Sequence, residues 1–231
     1  MSTFTGFPQD AFQFLAELEE NNDKEWFGAN KKRYEASVLA PTTAFIVAVG
    51  EQLQSVVPNI RYDTKTNGSG SLMRIHRDTR FSKDKTPYKT NVSAMWWEGP
   101  GKKTVSPGFG FQMNQHGMGL MAGQFAFDKN QLARYREVVN EPKHGDALNA
   151  VIGSIDSDPD YEILGEQYKK VPRGYDAEHP HGDLLKYKGL YSHPKAQLSP
   201  AQLMQADVVS VCSEQLKKMA ALQQWLATHL L

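Results

Sequence analysis

Apolar residues change their spacing along the chain, and each change predicts a different kind of element. Near the N-terminus Ala11, Phe14, Leu15 and Leu18 recur at i, i+3, i+4 and i+7, the stripe of one helical face. Asn21-Asn22-Asp23 breaks the stripe. Asp23 is placed to cap a second helix, with Phe27, Tyr34 and Val38 inward and Lys31, Lys32 and Arg33 mostly outward. Pro41 fits the first turn of a third helix, where its missing N–H costs nothing. Phe45, Val49, Leu53 and Val56 form that helix's buried side, and Pro58 ends it. The period then falls to two. Segments 72–76, 92–97, 109–113 and 118–125 read as strands; in the third, Phe109, Phe111 and Met113 alternate with Gly110, Gln112 and Asn114. Asn114-Gln115-His116-Gly117 supplies a turn, and links this short favour an antiparallel meander over parallel crossovers.

Helical spacing returns after Asp128 with Leu132, Tyr135, Arg136 and Val139, and again over 145–155. Residues 161–195 read as loop with short strands. Ser199-Pro200-Ala201-Gln202 has the form of a capping box, with Pro at the first helical position. It opens one long C-terminal helix carrying Leu203, Val211, Leu216, Met219, Leu222 and Leu226. No repeat, low-complexity tract or linker divides the 231 residues. The expected architecture is a single α+β domain over residues 1–231: an antiparallel sheet packed with helices from both ends of the chain.

Charge narrows the partners. Lys and Arg number 26 and Asp and Glu 26, so the formal net charge is zero. Domains that hold nucleic acid by bulk charge are strongly basic, so a nucleic-acid-binding module is disfavoured. No run approaches about 18 consecutive apolar residues, so no membrane partner is expected. Residues 1–7 lack the basic and apolar regions of a secretory leader. The single cysteine, Cys212, forms no internal disulfide and fits a reducing, cytoplasmic setting. Beside Val211 on a helix it reads as a small buried hydrophobe rather than a reactive thiol.

The zero is a sum of unlike parts. Residues 74–89 hold six basic side chains (Arg74, Arg77, Arg80, Lys83, Lys85, Lys89) against Asp78 and Asp84, a local charge of +4. Residues 169–195 hold Lys169, Lys170, Arg173, Lys186, Lys188 and Lys195 against Asp176, Glu178 and Asp183, a local +3. If residues 72–78 are extended, Met73 and Ile75 face the core while Leu72, Arg74, His76 and Asp78 face the other way. Cations this close repel one another unless an anion or carboxylates lie between them. Arg presents paired, planar donors that match phosphate and carboxylate oxygens. Two readings stay open: a cradle for a small phosphate- or carboxylate-bearing ligand, or a surface ion network in which Asp78 and Asp84 neutralise the arginines.

The central run Arg74-x-x-Arg77-Asp78-x-Arg80-Phe81-Ser82-Lys83-Asp84-Lys85-Thr86-Pro87-Tyr88-Lys89 resembles the hallmark of the family called domain of unknown function 2461. Asn21-Asn22-x-Lys24-Glu25-Trp26-Phe27, with Asn30 and Tyr34, is similar to that family's N-terminal motif. Pro172-Arg173-Gly174-Tyr175-Asp176, His179-Pro180 and Leu184-Leu185-Lys186 are similar to its C-terminal one. The resemblance covers nearly the whole chain. It implies one full-length domain and no particular activity, and it favours the cradle. The ligand contacts are then expected from Arg74, Arg77, Arg80, Lys85 and Lys89, with Asp78 orienting the arginines and Arg173 or Lys186 closing the site.

Proton transfer near such an anion would fall to His76 with Asp78, and Ser82 or Tyr88 is a candidate nucleophile, Lys85 and Lys89 favouring the Tyr88 phenolate. Whether the protein is an enzyme stays open. His179 and His181, with Asp176, Glu178 and Asp183, have the residue types of a metal site but read as a polar loop, and no metal is assigned. Gly99-Pro100-Gly101 and Gly108-Phe109-Gly110 lack the spacing of a phosphate or dinucleotide loop, so no cofactor is expected. Trp96 and Trp97 present one indole to each face of a strand, one to the core and one as a potential stacking platform.

Overall fold

The computed structural model describes residues 4–231. The leader reading rests in part on residues 1–3, which lie outside them. Helix α1 spans Gln9–Glu20 and α2 spans Lys24–Tyr34. Asp23 caps α2, its Oδ1 accepting from the N–H groups of Glu25 and Trp26 at 2.8 Å each. The chain does not break before Pro41. A π turn over Glu35–Leu39 joins α2 to α3, Ala40–Leu53, in one 30-residue helix. Proline lacks an N–H, and its ring would strike the carbonyl four residues back in a regular helix. The π turn widens the helix there, and the Ala40 N–H reaches back five residues to the Glu35 carbonyl. This helix contains an 18-residue window of mean hydropathy 1.3, long and apolar enough by length and composition to cross a membrane. A reading interrupted at Pro41 misses it. Its Phe45, Ile46, Val49 and Leu53 are buried in the core. Arg33 does not point away from the core as expected. Its guanidinium forks Asp10 and Glu17 of α1 at 2.6 to 3.1 Å.

Five antiparallel strands, β1 (Val92–Trp97), β2 (Gly108–Asn114), β3 (Gly117–Gln124), β4 (Tyr161–Leu164) and β5 (Leu190–Pro194), form one sheet in the order β1-β2-β3-β5-β4. The first three are a meander. Helices α4 (Lys129–Asn140) and α5 (Pro142–Asp156) follow, and β5 then inserts between β3 and β4. The strand expected at 72–76 is reduced to isolated bridges, Leu72 with Ala94 and His76 with Tyr88. The segment changes partner part-way along, so no continuous ladder builds. Leu72 enters the core and Met73 lines the opposite sheet face, the reverse of what was expected of those two, while Ile75 packs against the core as expected. The capping box of Ser199 and Gln202 forms but opens only α6, Pro200–Leu203. The long C-terminal helix is instead divided into α7 (Val208–Lys218) and α8 (Ala220–Leu230), with buried Met219 at the bend. The bend lets α7 lie on α3 and β3 while α8 also reaches α4 and α5, which one straight helix could not do.

Alternation sorts the strands into two faces. Val92, Ala94 and Trp96, then Phe109, Phe111 and Met113, then Met118, Leu120 and Ala122 all enter the core beneath α1, α3, α7 and α8. The other face holds Ser93 and Met95, Gly110 and Gln112, Gly119 and Met121, then Tyr191 and His193.

Candidate functional site

Residues 72–91 form a hairpin-like arm beyond the β1 edge. The Lys89 N–H donates to the Ile75 carbonyl at 2.8 Å and the Arg77 N–H to the Pro87 carbonyl at 2.9 Å. Most of the charges expected to cradle an anion pin its tip instead. The Arg80 guanidinium grips Asp78 with two bonds of 2.9 and 2.7 Å. Arg77 bonds Asp84 and Thr86, and the Lys85 ammonium donates to the Thr79 carbonyl at 2.8 Å. Phe81 stands 95% exposed at the tip. Arg80 beside Asp78 holds that carboxyl down at about 2. The Thr86 N–H and then Arg77 hold Asp84 at about 2. A depressed carboxyl pKa contributes order above its ordinary value near 3.8 and loses it as pH falls through the folded value. Carboxyl carbon NMR should therefore show both groups titrating near pH 2, with the tip loosening only there. Midpoints near 3.8 would show that the tip pairs do not form in solution.

The arm is tied to the N-terminal motif at Tyr88, through Asn22 and Phe27. Tyr88 pairs with His76 on one side, which leaves its own N–H and C=O facing outward. The Asn22 amide takes both, accepting from the Tyr88 N–H and donating to its carbonyl at 3.0 Å each. The Tyr88 ring stacks on Phe27 with centroids 4.1 Å apart and is 6% exposed. Tyr88, the expected nucleophile, is thus packed in the core. His76 is exposed and makes no hydrogen bond to Asp78, whose carboxylate Arg80 occupies.

Among the described residues Arg74 and Lys89 have no hydrogen-bond or carboxylate partner on their charged groups, and the Arg74 charge acts on Lys89. Burial first, and the Arg74 charge second, push the Lys89 ammonium pKa down. Lys89 lines a polar pocket of about 390 Å³ with Asn22, Arg77, Thr86, Thr90 and Asn91, where Glu19 and Asp84 also stand. Lys103, absent from the sequence expectations, adds a third cation. It is 7% exposed, donates to the carbonyls of Gly68 (2.9 Å), Gly70 and Leu72 (3.1 Å), and its pKa is lowered by burial.

Arg173 and Lys186 do not close this site. The C-terminal basic stretch runs beside β4 and β5, at the far edge of the sheet, four strand spacings or roughly 19 Å from β1. Lys186 pairs there with Asp183. His181 is buried against Asp146 at 2.9 Å and His179 contacts the Asn140 carbonyl at 3.2 Å. Cys212 is fully buried, which pushes its thiol up to about 12.

The open sheet face carries a groove of about 550 Å³. Its rows are Met95-Gly110-Met121 and Ser93-Gln112-Gly119 across β1, β2 and β3. Gly119 puts bare backbone on the floor, while the Met121 thioether lies over Gly110. Met73, Met95 and Met121 and the rings of Phe125 and Tyr191, 4.5 Å apart, form the walls. Composition concealed this site, because its defining feature is side chains that are missing. The alternation of glycine with Phe109 and Phe111 was its one trace.

A single layer of helices over an antiparallel sheet, with the second sheet face open and a pinned arm along one edge, defines a two-layer α+β protein. The chain belongs to the family described as "Conserved hypothetical protein (DUF2461)", whose pattern it matches over residues 10–225. No curated protein matches it.

Proposed function

We propose that this protein binds a small, flat, largely apolar molecule on the open sheet face. The groove carries the reading: about 550 Å³ is the size of pockets that enclose small organic ligands. Glycine lets a planar body approach the backbone closely, and thioethers make favourable contacts with aromatic rings. The exposed Gln112 amide offers polar atoms in the groove. The test uses indole as probe, read on the methionine methyl NMR signals. Met73, Met95 and Met121 should shift together, and Gly119→Leu should weaken binding at least tenfold. A Cβ at Gly119 meets nothing closer than Gln197 Nε2 at 3.9 Å, so the variant fills the groove without straining the sheet. Unmoved methyls at millimolar indole, or equal binding by Gly119→Leu, would overturn the reading.

A second reading keeps the anion but moves it to Arg74 and Lys89. Their mutual repulsion supports it, since an anion between them would relieve it. Folding depresses the Lys89 pKa, so its charged form costs stability below that folded value, and the cost fades as pH rises toward 10.5. Inorganic phosphate should shift the Thr90 and Asn91 amide signals beside Lys89, Lys89→Met should weaken that response about tenfold, and Arg80→Met, altering a cation already paired with Asp78, should not. Equal binding by Lys89→Met rejects this reading. A nucleic-acid module is the weaker alternative, because the two basic stretches occupy opposite edges and form no single track.

A further inference from the structure

A different cleft holds a cation with its best donors unused. Arg136 projects from α4, and its Nε and one Nη are buried with no hydrogen-bond partner among the described residues. Those two atoms, Nε and Nη2, are one edge of the guanidinium, the pair that binds two oxygens of a carboxylate or phosphate at once. Leaving them unpaired away from water is costly, more so for a charged group. The Tyr168 ring covers the guanidinium, with its centroid 5.1 Å from Cζ. Tyr168 is held there by the short pairing of 166–168 with 186–188, in which its N–H donates to the Lys186 carbonyl at 2.8 Å. The cleft beside it, about 640 Å³, is lined also by Lys169, Lys170 and Arg173 and by no carboxylate. The nearby acids are already engaged, Glu166 by Lys188 and Asp183 by Lys186.

We propose that this cleft is a binding site for a phosphate-bearing small molecule, two of whose oxygens take the Nε–Nη2 edge of Arg136 beneath Tyr168. Four cations without a carboxylate suit a dianion better than a singly charged group. A phosphate also leaves further oxygens for Lys169, Lys170 and Arg173 once two are held by the fork. Both donors are closed to solvent, so the side chains that cover them move when the anion enters. The site is independent of the groove and of Arg74 and Lys89, which stand at the other edge of the sheet.

The experiment is a titration of the intact protein with inorganic phosphate, read on the arginine Nε–Hε signals. The Arg136 signal should move downfield and saturate. Arg136→Lys, which keeps the charge and loses the fork, should bind at least tenfold more weakly, while Lys102→Met, at an exposed cation of the β1–β2 loop outside both sites, should leave this response unchanged. Acetate should move the signal less than phosphate at equal concentration. A silent Arg136 signal at millimolar phosphate overturns the proposal. So does Arg136→Lys binding as the wild type does, which would show only a diffuse positive field. An acetate response equal to or stronger than that of phosphate overturns the phosphate assignment. The wild-type signal is informative even if a variant fails to fold.

Discussion

Trp96→Ala should cost about 3–5 kcal/mol, the largest loss expected from any single side chain here. Trp96 is fully buried between β1 and α3, and its indole N–H donates to the Ile46 carbonyl at 2.8 Å. Its ring lies 5.7 Å from Phe111 and 6.3 Å from Phe45, so its removal opens a cavity between sheet and helix that neither neighbour can fill without leaving the other. For a domain of this size each kcal/mol lowers the midpoint by about 3 °C, so thermal unfolding should move down by roughly 10 °C. Trp96→Phe, which keeps most of the volume and loses the donor, should recover more than half of the loss. A loss under about 1 kcal/mol for the alanine variant would mean that α3 does not sit on this sheet as described.

The second large effect falls on Asn22. Its amide alone satisfies the outward N–H and C=O of Tyr88, so Asn22→Ala leaves two backbone groups without partners at about 1 kcal/mol each. The loss should be local as well as global. Amide exchange at Tyr88 should accelerate roughly tenfold or more, as expected for about 2 kcal/mol, and the arm should loosen from α2. Asn22→Asp retains the acceptor for the Tyr88 N–H and loses the donor to its carbonyl, so it should fall between wild type and alanine. Unchanged Tyr88 protection in Asn22→Ala would show that the arm is held by the Tyr88–Phe27 stack instead.

These two positions illustrate what could be read in one dimension. That one of Trp96 and Trp97 faces inward was legible because successive strand residues point to opposite faces, and the structure assigns that place to Trp96. Asp23 and Ser199 were legible as caps, because capping is a contact between residues two or three apart. Asn22 was visible only as part of a motif. Its role depends on Tyr88, sixty-six positions away, whose outward backbone groups exist only once the arm has paired. Arg33 likewise seemed an exposed cation until α1 brought Asp10 and Glu17 against it.

The candidate sites divide in the same way. Spacing and charge count located the basic stretch at 74–89 and its acids Asp78 and Asp84, and left open whether they served a ligand or one another. Fold geometry assigned Arg77, Arg80 and Lys85 to internal pairs, because a tight tip brings opposite charges within reach of the same loop. It left Arg74 and Lys89 without partners among the described residues. It also separated Arg173 and Lys186 from them by the width of the sheet.

Local patterns along this chain carry the α+β class, the antiparallel meander, the helix caps and the place of the charge, since each arises from contacts a few residues apart. The continuous helix through Pro41, the bend at Met219, the insertion of β5 beside β3, the glycine-floored groove and the empty fork of Arg136 arise from packing between distant segments. Their physical cause is that a layer of helices must cover one face of a five-stranded sheet without leaving the core. No local period encodes which face stays open or which cations find partners.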